Sequence, residues 1–304
     1  MHIGLFSVTI MVIMEQLIPK DKFTRVYLAL WGVCIFIGLT AFVFYKIGFR
    51  LTGNFSPVKV GEIELSSNQS GLQIILDNRE KSVMPKEGLY RITSVSPGLH
   101  SLMVSKPDFW PWIKTFEVPA NASRPVFAFL FPMDGLPTKV VSPSDPAYED
   151  GLNKIRLNVV PEPKEGYLPY SETESFVSWL SENIPNRKIS NDGSTALFVE
   201  DNSIYVAWIS ESEPPPHYFC QENPCKLKFP VTVSVEPIKS VGFFKDRSDV
   251  VIFAAGSALY AIEVDREGTQ NFQPFYKGDD PYFYESPEGT LYIKDGDSLL
   301  KATL

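Results

Sequence analysis

Gly61 to Lys106 reads GEIELSSNQSGLQIILDNREKSVMPKEGLYRITSVSPGLHSLMVSK, and the texture of this stretch decides the fold. Apolar and polar residues alternate in the short runs GEIELSS, GLQIILDN, YRITSVSPG and HSLMVSK, and again in FEVPA at 116–120, with turn residues between them. Alternation with a period of two marks strands that bury one face. Ile63 and Leu65 share one face of the first strand, Leu72, Ile74 and Leu76 one face of the next, and Leu102 and Val104 one face of a later one. These are the expected core positions. Asp77-Asn78 supplies a turn, and Pro97-Gly98 a tight reversal, because Pro fixes φ while Gly accepts positive φ. Strands this short, joined by turns, predict a small β-sandwich.

N-terminal to this region, Val26 to Tyr45 reads VYLALWGVCIFIGLTAFVFY, twenty residues without a charge. At about 1.5 Å per residue such a helix spans roughly the 30 Å hydrocarbon core of a bilayer. Arg25 and Lys46 bracket it, and Tyr27 and Tyr45 lie near its ends, where headgroup-preferring side chains belong. The expected lipid contact is therefore Val26 to Tyr45. Charge does not orient it: Lys20, Lys22 and Arg25 precede the span, and Lys46, Arg50 and Lys59 follow it at similar distances. Ile3 to Met14 is apolar but too short to cross and lacks a basic leader region and a small-residue cleavage site. One expectation is that translation begins at Met14, leaving a short polar tail before the anchor.

The β run carries a resemblance. Gly61-Glu62-Ile63, a strand ending in Asp77, and Val95-Ser96-Pro97-Gly98-Leu99-His100 leading into Leu102-Met103-Val104-Ser105-Lys106 resemble the PEGA domain family over Val60 to Pro132. Phe109-Trp110-Pro111-Trp112 stands where that family often has Gly-Tyr, and Ser67-Asn68-Gln69-Ser70 departs from its usual Pro-containing turn. The resemblance implies a small extracytoplasmic β-sandwich, often attached to a membrane anchor, with no catalytic residues to carry over. It implies an extracytoplasmic C-terminal region and a cytoplasmic N-terminus.

Beyond Pro132 the chain is rich in Pro, Ser and Asp, and strand-like runs then recur. Ala196-Leu197-Phe198-Val199 is followed by Ile204-Tyr205-Val206-Ala207-Trp208, and Val250-Val251-Ile252-Phe253 by Ala258-Leu259-Tyr260-Ala261-Ile262. Leu291-Tyr292-Ile293 marks a third pair. Asn191-Asp192-Gly193-Ser194, Asp246-Arg247-Ser248-Asp249 and Ser286-Pro287-Glu288-Gly289 precede these runs and resemble the turns of TolB-type β-propeller repeats. At about 40 to 45 residues per blade, Gly135 to Leu304 holds about four, the first placed around Ile155 to Val160. Ser171-Glu172-Thr173-Glu174 reads as a capping box before a short helix with Phe176, Val177, Trp179 and Leu180.

The expected class is thus all-β. A tail (1–25) and one transmembrane helix (26–45) lead through a linker (46–59) to a PEGA-like sandwich (60–132), followed by a degenerate or partial β-propeller-like domain (133–304).

Chemistry is sparse. Cys220 and Cys225 form the pair CQENPC in a polar loop, which suggests a disulfide and an oxidising compartment. The competing reading is a metal site of His217, Cys220 and Cys225, which lacks the fourth ligand of a structural zinc site. Gly278-Asp279-Asp280 and Lys294-Asp295-Gly296-Asp297 read as hairpin turns, since neither has the ligand spacing of a calcium loop. His100, alone after its Pro-Gly turn, reads as a surface or capping residue. Trp110 and Trp112 offer a candidate binding platform, with core packing as the alternative. No metalloprotease, hydrolase-elbow, Walker or dinucleotide motif occurs, so no catalytic or cofactor-binding residue is assigned.

With 36 acidic and 28 basic side chains the net charge is −8, which opposes a polyanion, and nucleic acid is excluded as an expected partner. The leading expectation is a non-enzymatic envelope or cell-surface protein that presents β domains to a protein or glycan partner. One alternative is an envelope hydrolase using two carboxylates of the propeller-like region. Another is a sensor, which would require a membrane partner for output.

Overall fold

The computed structural model describes residues 22–51, 57–161, 176–184, 187–220, 224–245, 247–286 and 288–304. Met14 and the Ser171-Glu172-Thr173-Glu174 motif lie outside these. The fold is mostly β, with 45% strand against 17% helix. The described residues divide into two units.

The first unit runs to Glu62 and takes back Thr93–Gly98 and Val118–Ser123. Its helix α1 (Lys22–Lys46) contains the only segment among the described residues long and apolar enough to cross a membrane, Val26–Lys46. Side chains along that span, Trp31 and Phe36 among them, are exposed. In water this would be costly at roughly 25 cal/mol per Å² of apolar surface, and a hydrocarbon surrounding removes the cost. The expected linker holds a hairpin, β1 (Phe49–Leu51) with β2 (Pro57–Lys59), and the Phe44 and Phe49 rings meet edge-on at 5.3 Å. Gly61 is required by crowding: a Cβ there would lie 2.4 Å from the Pro119 carbonyl oxygen.

The second unit comprises Ile63–Ile92, Leu99–Glu117 and Arg124–Leu304. Its first two sheets carry the alternating region. The strands are β3 (Gly61–Ser67), β4 (Gln73–Leu76), β5 (Arg79–Glu80), β6 (Leu89–Val95), β7 (Gly98–Ser105), β8 (Trp112–Val118) and β9 (Ser123–Ala128), in the orders β6-β3-β9 and β5-β4-β7-β8. Ile63, Leu65, Ile74, Leu76, Leu102 and Val104 are all buried, while Leu72 is half-buried just before β4. Ile74 faces Val104 and Leu76 faces Leu102 across the β4–β7 pairing, so one side of both strands is apolar. Asp77 and Asn78 both take positive φ, 50° and 60°, as a two-residue hairpin between twisted strands demands.

After β9 the chain runs extended through Phe129, Leu130 and Phe131, and two amide side chains bind its backbone. Asn68 accepts from Leu130 N–H at 2.9 Å and donates to its carbonyl at 3.0 Å. Buried Gln273 accepts from Phe131 N–H at 3.2 Å and donates to the Phe129 carbonyl at 3.2 Å. Buried backbone groups need such partners, and these primary amides supply both a donor and an acceptor.

Three further four-stranded antiparallel sheets follow. β10 (Lys139–Val140) opens the region and pairs with its last strand. The helix α2 (Pro146–Asn158) comes next, then α3 (Phe176–Asn183). One sheet is β11 (Lys188–Ile189), β12 (Thr195–Glu200), β13 (Ser203–Trp208) and β14 (Lys228–Val233). The next is β15 (Ile238–Phe243), β16 (Val250–Ala255), β17 (Ala258–Glu263) and β18 (Phe272–Lys277). The last is β19 (Tyr282–Glu285), β20 (Thr290–Asp295) and β21 (Ser298–Thr303), with β10 outside β21.

The first two of these sheets repeat in detail. In each, two residues link the second strand to the third, Asp201-Asn202 and Gly256-Ser257. In each, the third strand shifts register before its Tyr, at Ile204/Tyr205 and Leu259/Tyr260, and that Tyr faces a Pro, Pro230 or Pro274. Both prolines sit on edge strands, where a missing N–H breaks no ladder. The third sheet shares the two-residue link, at Gly296-Asp297.

The expected first blade around Ile155 to Val160 is corrected: α2 runs through that segment as far as Asn158. Asp145 caps it, accepting from Ala147 N–H at 2.9 Å, and Pro146 sits in the first turn, where its missing N–H costs nothing. Tyr148, Leu152 and Ile155, spaced for one helix face, pack with Val141, Leu299 and Tyr292. Only Val159 keeps a bridge, to Ser240. The helix expected after the capping motif is present as α3, whose Trp179 and Leu180 pack against Ala196, Phe198 and Ala207.

Candidate functional site

A dense buried polar cluster of the second unit lies where β8 and β9 meet the segment after β17. Alternation along β8 turns Trp112, Lys114, Phe116 and Val118 to one buried face. A lysine among three apolar core residues must find an anion, because an unpaired buried charge is prohibitive. Lys114 Nζ donates to Glu263 Oε2 at 3.1 Å and to the Asp265 carbonyl at 3.1 Å, and its side chain is 4% exposed. Trp112 Nε1–H donates to Glu263 Oε1 at 3.2 Å. Asn271 adds its backbone N–H, at 3.1 Å, and its Nδ2, at 3.0 Å, to Glu263 Oε2. Burial nevertheless pushes the Glu263 carboxyl above its ordinary value, opposed by Lys114 and Asn271.

A second layer faces solvent. Arg124 on β9 binds Glu267 and approaches Asp265 at 3.8 Å; Glu267 also accepts from Glu117 N–H at 2.9 Å, and its other oxygen lies 3.9 Å from His217 Nε2. His217 Nε2 lies 2.9 Å from Asp265 Oδ2 and 3.0 Å from Arg124 Nη2. The carboxylate needs a proton on Nε2 and the guanidinium needs its lone pair, so His217 satisfies one of them at a time. Burial works to raise the Asp265 carboxyl, but the His217 hydrogen bond, the Lys114 charge and the Glu267 N–H outweigh it and hold it below its ordinary value. Gly268 closes the turn at φ 65°, where a Cβ would lie 2.1 Å from the Thr115 carbonyl oxygen.

Ligand atoms of His217, Asp265 and Glu267 lie within 4.8 Å of one another, as in a metal site. Arg124 and Lys114 already supply the positive charge there, so a divalent cation would have to displace a guanidinium. The cavity beside the cluster, lined by Lys114, Arg124, His217 and Glu263 among others, has a volume of about 50 Å³. What this arrangement does chemically is join two groups of strands through a closed ion network.

The cysteines expected to pair are joined, Cys220 to Cys225, which rules out the His217, Cys220, Cys225 metal set. The bridge pins a loop that starts from a single helical turn, His217–Phe219, whose Tyr218 and Phe219 are buried. It thereby holds His217 at the cluster. The two-ring platform is corrected. Trp112 is fully buried, as its register on β8 dictates, and only Trp110, 37% exposed, reaches the surface. His100 is likewise buried rather than superficial, with Nδ1 2.6 Å from Asp77 Oδ2. The Asp77 carboxyl is held low: its partial burial is outweighed by hydrogen bonds from His100 and Ser101 N–H. The acidic turn residues act within the fold, Asp295 accepting from Asp279 N–H at 3.0 Å, Asp280 N–H at 2.9 Å and Tyr276 OH at 2.8 Å.

Reasoning from the sequence missed Lys114, Glu263 and Asp265, although Lys114 carried a signal, standing in register with Trp112 and Phe116. No protein-family model matches the chain, and no curated protein matches it in sequence.

Proposed function

We propose that the chain is a single-pass membrane protein that carries a non-enzymatic, extracytoplasmic binding region built from a PEGA-like sandwich and a three-bladed, degenerate propeller. The observation that carries this reading is the 21-residue apolar span Val26–Lys46, exposed along its length. The Cys220–Cys225 disulfide supports an oxidising side for the β region. The propeller reading draws on the repeated Tyr–Pro register of two sheets and on β10 completing the last sheet from the other end of the region, which ties the first strand to the last. Loops at the sheet ends, together with part-exposed Trp110, would meet an envelope protein or glycan.

The hydrolase alternative needs two available carboxylates on a pocket wide enough for a sugar ring. Beside the ion cluster the carboxylates Glu263 and Asp265 are held by Lys114 and His217 next to only about 50 Å³ of space. A larger cavity, between β11, β15 and β19, has Glu285 as its single lining carboxylate. Incubating the purified full-length chain with cell-wall polymer should release no soluble fragments. Fragment release abolished by Glu263→Gln or Glu285→Gln would overturn the non-enzymatic reading in favour of hydrolysis.

A further inference from the structure

β11, β15 and β19, one strand from each of the three C-terminal sheets, converge on a cavity of about 180 Å³. Hydrogen bonds knit its floor: Asn158 Nδ2 donates to the Phe283 carbonyl at 2.8 Å, and Phe283 N–H to Ser240 Oγ at 3.2 Å. The rim is formed where β11, β15 and β19 end, with Lys188, Lys245, Phe243, Tyr284 and Glu285. Two features distinguish this space from a packing gap. Cavities of roughly 150 Å³ accept a single benzene-sized ring, so this one has room for a ring-sized group, well below the roughly 300 Å³ of drug-sized pockets. Its electrostatics are also unbalanced.

Among the described residues the half-buried Lys188 ammonium has no hydrogen bond, ion pair or ring contact of its own. Burial alone, with no compensating anion, holds it below the ordinary lysine value. Lys245 adds a second positive charge at the exposed edge. Glu285, the one acid in the lining, has an oxygen committed to the Lys245 backbone N–H at 2.7 Å. Elsewhere in the unit the buried lysine Lys114 is fully engaged, and Lys228 pairs with Glu200 at 2.8 Å. Lys188 departs from that pattern beside a cavity of ring-sized volume.

We infer that this cavity binds a carboxylate-bearing ligand one ring in size, its carboxylate on Lys188 and its ring against Phe243 and Tyr284. A charge-assisted hydrogen bond to the ligand would give the ammonium the partner the protein withholds. A sugar acid and an aromatic acid share this chemistry. The site depends on neither the membrane span nor the side of the membrane, so its failure would leave the topology reading intact.

The test is ligand-observed NMR on the full-length chain in lipid nanodiscs, with D-galacturonate and benzoate as probes and D-galactose and benzamide as matched neutral compounds. A saturable signal from at least one acid, with little from its neutral partner, is expected, and which acid responds identifies the source. Lys188→Met should weaken that binding by at least about tenfold while Lys188→Arg retains it. Lys188→Met should unfold no earlier than the parent, since removing a desolvated, unpaired charge does not destabilise. Lys188→Gln is the substitute should the Met variant fail to fold. Absence of binding by both acids, equal binding of the neutral compounds, or unchanged affinity in Lys188→Met would each overturn the assignment.

Discussion

Lys114→Met is expected to destabilise the larger β unit by about 3–5 kcal/mol at pH 7, the cost of breaking a buried pair from one side. Lys114 and Glu263 are both nearly inaccessible, 4% and 7% exposed in their side chains. Methionine keeps the length and apolar stem of lysine, so the loss comes from a carboxylate left without its cation. The pH dependence separates this from a packing effect. Glu263 already has a raised carboxyl value, and losing Lys114 raises it further. A group whose folded value lies above its unfolded one favours folding under acid conditions and opposes it once ionised. The deficit relative to the parent should therefore be largest near neutral pH and shrink as pH falls towards the raised value. Urea unfolding of parent and variant at pH 7 and pH 5 measures it, and a deficit equal at both would mean that Lys114 acts by packing alone. Adding Glu263→Gln should recover part of the loss, since the pair couples directly.

Phe131→Ala should cost a similar amount, about 3–5 kcal/mol, by the usual penalty for emptying a buried aromatic site. Phe131 is 1% exposed, stacks on Phe275 at 4.8 Å between centroids, and meets Phe244 edge-on at 5.7 Å. Phe275 lies on β18 and Phe244 directly follows β15, whereas Phe131 lies in the extended segment after β9. Its removal should thus weaken both groups of strands together. A single coincident transition, shifted to lower urea and seen by tryptophan fluorescence and by circular dichroism, is the expected outcome. Separate transitions in the variant would mean that Phe131 is a local contact only.

The contrast between these two sites explains what was legible before the fold was known. Local signals read well. Ile63 and Leu65 alternate on β3, and Asp77-Asn78 supplies the two positive φ values of a hairpin. Both depend on neighbours a few positions away. The ion cluster joins Trp112 to Glu263 across 151 positions and Lys114 to Glu263 across 149, and no local pattern encodes that pairing. Charged residues in short strands ordinarily face water, and only the register of Lys114 with Trp112 and Phe116 points it inward. Around Ile155 two periodicities compete: Ile-Arg-Leu-Asn-Val-Val alternates like a strand, but Asp145, Pro146 and the Tyr148–Leu152–Ile155 spacing set a helix. The cap and the tertiary contact with the last sheet decide it. The central cavity gave no sequence signal, because its lining comes from the ends of strands in three different sheets.

The central claim is that α1 carries the β region across the membrane into an oxidising compartment. Protease treatment of intact cells, combined with labelling of Cys220 and Cys225 by a membrane-impermeant maleimide before and after reduction, tests it most directly. Cys34, the free cysteine of the described residues, lies within the apolar span and away from that reagent. The account predicts that the β region is digested from outside and that the two thiols label only after reductant. A protected β region whose thiols label freely once the membrane is opened, without reductant, would place it in the cytoplasm and contradict the account.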